Sequence, residues 1–130
     1  MILTLILAAA LSTTQAADDS DRQGNYTSLL SCAAFHTIEA TRSDGDTAES
    51  LQAVAYDFAK SAVRFAPDNT TETANADLEK LLSIFREKLD TGDVREVAQG
   101  WTALEAACRR LYPVRDELDQ DASVEAEATR

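Results

Sequence analysis

Histidine is nearly missing from this chain. There is one, His36, with two cysteines, Cys32 and Cys108, and one methionine, Met1. Each shortage removes a class of chemistry. A di-iron helical bundle needs two Glu-x-x-His motifs on different helices, and one histidine cannot supply them. Covalent haem needs Cys-x-x-Cys-His and a thioredoxin-like centre needs Cys-x-x-Cys; the sequence has neither. Haem held by His and Met would have to use Met1. Basic residues are outnumbered, 12 against 23, giving a net charge of −11. That charge repels phosphates, so nucleic acid and anionic membranes are poor partners. No Gly-rich loop or internal repeat is present, and Ser28 and Ser31, the serines near His36, lack a nucleophile-elbow pattern. No metal and no cofactor are expected.

What is present begins with "MILTLILAAALSTTQAADD". The apolar run is long enough for the core of a signal peptide and too short to span a bilayer. Small residues at Thr14 and Ala16 place cleavage after Ala16, so residues 1–16 read as a leader. Arg is favoured over Lys and Ala is abundant, the composition of a GC-rich bacterial genome, which makes the expected address periplasmic or secreted. Residues 17–25 are polar and acidic and read as a disordered lead-in. Residues 114–130 are acidic and poor in large apolar groups, and read as a flexible tail.

Residues 26–113 carry helical periodicity throughout, with no strand alternation. The first segment runs from Tyr26 to Arg42 and stops at the turn cluster "SDGD". The second starts at Asp46, with Glu49 as a capping-box partner, and its stripe is Leu51, Val54, Ala55, Phe58, Ala62 and Phe65. The third starts near Asn69 or Thr70, with Glu72 completing its cap, and ends at Gly92. The fourth starts at Asp93 with Glu96 as partner, carries Val97, Trp101, Leu104, Cys108 and Leu111, and ends at Pro113. Four amphipathic helices joined by short loops predict an all-α, antiparallel up-down four-helix bundle.

In such a bundle the start of the first helix lies level with the end of the fourth. Cys32 and Cys108 then sit at similar heights, and in an exported protein they are expected to form one disulfide. Cys32 and His36 also share a helix face, a spacing that can hold a metal ion, with Cys108 and Glu39 as further ligands. This metal-binding reading is an alternative to the disulfide, because oxidised cysteines supply no thiolate. His36 and Glu39 form a candidate polar pair, and Glu39, lying among apolar neighbours, is the one carboxylate to watch for acid–base work. The remaining carboxylates belong to solvated helix faces, so the chain reads as a non-enzyme.

Surplus apolar surface points to contact with protein. From Tyr26 to Ile38 the only residue that can carry a charge near neutral pH is His36. Phe35 and Ile38 point away from the face shared by Leu29, Ala33, His36 and Ala40. The second helix has a side stripe of Tyr56, Ala59 and Val63. Phe35, Ile38, Tyr56 and Val63 are therefore expected on the outer surface of the first hairpin, as an interaction patch for a protein partner or a second copy of the chain. The gross plan, an exported helical chain with one disulfide and a Cys-x-x-Phe start to a helix (Cys32 and Phe35), is similar to that of small periplasmic acid-stress chaperones. That resemblance implies an acid-activated holdase as an alternative function and carries over no functional residue.

Overall fold

The computed structural model describes residues 18–118. The leader expected over residues 1–16, and the tail beyond Leu118, lie outside the described residues. Four helices follow one another: α1 (Asp18–Thr41), α2 (Gly45–Val63), α3 (Thr71–Thr91) and α4 (Val94–Leu111), then a 3-10 turn, Tyr112–Val114. Among the described residues there is no strand. The expected all-α bundle is the fold, closed by a disulfide between Cys32 and Cys108 with Cα atoms 5.5 Å apart.

The loops and caps follow local chemistry. Gly45 adopts φ of +58°, a left-handed conformation that glycine takes without a Cβ penalty, and this lets the "SDGD" turn feed α2. Asp46 then lies in the first turn of α2, where the helix dipole favours an acid. Thr70 caps α3 by accepting from the Thr73 amide. Its supporting acid is Asp68, which accepts from the hydroxyls of Thr70 (2.9 Å) and Thr73 (2.6 Å), in place of the expected Glu72. Asp93 caps α4, accepting from the amides of Arg95 (3.0 Å) and Glu96 (3.1 Å). Gly92 between α3 and α4 is required by space. A Cβ there would meet the Lys88 carbonyl and Val97 Cγ2, both at 2.6 Å.

The helices are not equivalent. α1 packs along α2 over an extended contact and also touches α3 and α4, whereas α3 and α4 share only a narrow contact and α2 and α4 hardly meet. α1 is therefore a hub. Ala33, Ala34 and Ala40 keep it slim, and its large side chains leave in several directions, all into the core. Phe58 from α2, Leu82 and Phe85 from α3, and Leu104 from α4 close around it. Polar tethers tie the outer helices to the hub: the Tyr26 hydroxyl donates to Asp77 (2.6 Å) and the Trp101 indole donates to Glu39. Burial, together with the Asp77 carboxylate, pushes the Tyr26 phenol above its ordinary pKa.

Both ends of the bundle depart from expectation. α1 begins at Asp18 rather than Tyr26, so the lead-in 17–25 is helical from Asp18 onward. Its guanidinium anchor explains this: Arg22 donates to the carbonyls of Arg64 (2.9 Å) and Ala66 (3.3 Å), and also to Asn69. Arg64 is the C-cap of α2, where helix carbonyls lack intrahelical donors. The start of the tail is likewise held, because Arg115 and Asp116 bond to α2, as described next.

Candidate functional site

The disulfide lies inside the core, with Cys32 and Cys108 at 1% and 0% exposure. No cysteine among the described residues is free, so Cys32 has no thiolate for a metal ion. No group of three or more His, Cys, Asp or Glu side chains converges among the described residues. The Cys32/His36 metal alternative therefore loses its sulfur ligand. An intramolecular disulfide fits an extracellular, oxidising compartment.

His36 and Glu39 are placed on α1 but serve different partners. The His36 Nδ1–H donates to the Cys32 carbonyl (2.9 Å). Its ring lies 5.5 Å from Phe58, nearly parallel, and 5.0 Å from Phe35, edge-on. Glu39 accepts from the Trp101 indole and lies 3.9 Å from Arg42. No hydrogen bond joins His36 to Glu39, and the Glu39 charge acts on the ring only through space.

Burial holds the His36 imidazole below its ordinary pKa, outweighing the raising effects of the Cys32 carbonyl and the Glu39 and Glu105 charges. The neutral ring is thus the folded form, while the unfolded ring titrates near 6.5. Its contribution is complete above that value and is lost as the pH falls through it toward the lower folded-state pKa. Urea midpoints measured on either side of pH 6.5 should fall further for the wild type than for His36→Gln. Equal falls would show that His36 carries none of the acid sensitivity.

The four residues of the expected patch separate. Phe35 and Ile38 are core residues, each 3% exposed, because α1 has neighbours on the sides that a corner helix would leave open. Tyr56 is 67% exposed, and Val63 is half-buried. The α2 side stripe is real, however: Tyr56, Ala59 and Val63 wall a cleft of about 540 Å³. Lys60, Thr71 and Asn75 also face this cleft, and Arg115 and Asp116 form its rim.

The side of the cleft away from the α3 residues is made by the segment after α4. The Tyr112 hydroxyl donates to Asp57 (2.6 Å), and its ring meets Phe58 edge-on at 5.5 Å. The Ser61 hydroxyl donates to Asp116 (2.9 Å), and so does Arg64 (2.6 Å). Arg115 lies 4.0 Å above the Tyr112 ring and 3.7 Å from Asp57. The bond to Asp57 raises the Tyr112 phenol, and the Ser61 hydroxyl, aided by Arg115 and Arg64, lowers the Asp116 carboxyl. A second cleft of about 460 Å³ lies on the far side of this segment, floored by Phe35, His36 and Cys108 and rimmed by Tyr112 and Pro113. Sequence reasoning missed Ser61, Arg64, Tyr112 and Asp116. The one signal for them was a large aromatic, Tyr112, placed where the helical stripe gives way to the tail.

No described helix is long and apolar enough to cross a membrane. No protein-family model, curated protein or solved structure matches this chain.

Proposed function

We propose that this is a small exported protein of the periplasm that works by contact with another protein and catalyses no reaction. The observation that carries the reading is the α2 side stripe. Tyr56 is 67% exposed, and with Ala59 and Val63 it lines an open cleft, where the ring offers a partner both an apolar face and a polar tip. A buried disulfide supports the oxidising address. The side chains nearest to catalytic chemistry, His36 and Glu39, are each committed to a structural partner, which supports a binding role over an enzymatic one.

Crosslinking in intact periplasm, followed by pull-down of the tagged chain, tests the reading. A discrete partner, or a second copy of the chain, should be captured by the wild type and lost from the double variant Tyr56→Asp, Lys60→Glu, whose far-ultraviolet helical signal should be unchanged. Both positions are exposed, so the fold tolerates the change. Capture of the same species by both chains, or no species above an untagged control, overturns it.

A further inference from the structure

We propose that the segment from Tyr112 to Leu118 is a displaceable strap over a docking groove on α2, and that the partner is a polypeptide segment presenting an aromatic hydroxyl followed, one turn on, by a carboxylate. The inference rests on the protein-contact reading above and names the partner's chemistry. Asp57, Phe58, Ser61 and Arg64 recur at helical spacing and form one ladder along α2. Each rung is filled by the strap. Asp57 receives the Tyr112 hydroxyl, Phe58 meets the Tyr112 ring, and Ser61 and Arg64 both donate to Asp116.

Ser61 and Arg64 together favour a carboxylate, one as a hydrogen-bond donor and the other as a cation. Ser61 is 2% exposed, and its hydroxyl bonds to Asp116. A segment that takes the strap's place and covers Ser61 must bring its own acceptor, or the buried donor is left unmet. The strap is held at the surface, with Tyr112 and Leu118 only partly buried against the core. The 3-10 turn that begins it contains no buried residue. The Arg64–Asp116 pair is exposed on both sides, 42% and 64%, and such pairs contribute little. The groove is also longer than its occupant. It opens into the cleft of about 540 Å³ on one side and the cleft of about 460 Å³ on the other. An incoming segment with the same two groups can take over the ladder and add contacts in both clefts that the strap does not make. The strap then acts as a tethered competitor that sets the threshold for binding.

The probe is a fluorescein-labelled synthetic peptide with the sequence of residues 112–118, YPVRDEL, titrated into the full oxidised chain and followed by anisotropy. Asp116→Ala loosens the strap and leaves the ladder intact, so it should bind the peptide about tenfold tighter than the wild type, in proportion to the larger open fraction. Adding Ser61→Ala to Asp116→Ala should reverse the gain, and the peptide YPVRNEL, which replaces only the carboxylate matching Asp116 with an amide, should bind weakly to every chain. Asp116→Asn gives the same comparison with the side-chain size kept, and far-ultraviolet circular dichroism confirms the fold of each variant. Equal affinity of wild type and Asp116→Ala, absence of binding by both, or equal binding of the two peptides overturns the proposal. The result is independent of the crosslinking experiment. A captured partner without peptide binding leaves the contact reading standing and removes the strap, and peptide binding without a captured partner does the reverse.

Discussion

Replacing Cys32 and Cys108 together with alanine should lower the unfolding free energy by about 4–5 kcal/mol, the chain-entropy value for a cross-link of this span. The bond joins residues 76 apart in sequence, so nearly the whole helical domain lies within the loop it closes. Single domains are typically stable by roughly 5–15 kcal/mol, and a loss of this size leaves the variant marginal. The damage should be uneven. Within α4 only Gly100, Leu104 and Cys108 are buried, its contact with α3 is narrow, and it hardly meets α2. The disulfide therefore shares with Leu104 and the Trp101–Glu39 bond the work of holding α4 to the hub. Amide exchange in the double variant should show α4 opening well before α1 and α2. Urea unfolding measures the total; a loss below about 1 kcal/mol, or uniform exchange across the four helices, contradicts the account. Because both sulfurs are buried, the native bond should resist mild reductant until the chain is unfolded.

Phe58→Ala is expected to cost about 3–5 kcal/mol, the usual range for truncating a buried aromatic to alanine. Phe58 is fully buried and sits at a junction, with the His36 ring 5.5 Å away on one side and the Tyr112 ring 5.5 Å away on the other. Its removal therefore does more than leave a cavity. Water reaching His36 lowers the desolvation that depresses its pKa, so the imidazole should titrate closer to its ordinary value in the variant. The strap loses the surface on which Tyr112 rests. Thermal unfolding gives the stability, and the His36 ring protons followed through a pH series give the titration. Because Phe58 and His36 are in contact, the double variant Phe58→Ala, His36→Gln should depart from the sum of the two single effects. A stability loss with no movement of the His36 titration would place the water-excluding contact elsewhere.

The helices α2, α3 and α4 were legible from residue order alone. Their stripes recur every three or four residues, and Asp93, Thr70 and Gly92 mark ends for reasons local to the backbone. The pairing of Cys32 with Cys108 was legible too, since short loops enforce antiparallel neighbours and bring the two positions level. What periodicity cannot report is how many neighbours a helix will have. The uncharged stretch from Tyr26 to Ile38 is equally compatible with a surface patch and with a hub, and only packing assigned Phe35 and Ile38 to the core. The short stretches 18–25 and 114–118 differ from their reading for a related reason. Acidic, polar segments lack a stripe, yet Arg22 finds the Arg64 carbonyl at the end of α2, and Tyr112 and Asp116 find Asp57 and Ser61. Those bonds join residues more than forty positions apart. Local pattern is a property of neighbouring residues, whereas partner choice across the bundle depends on which surfaces the other helices leave open, and that is decided only when the tertiary structure forms.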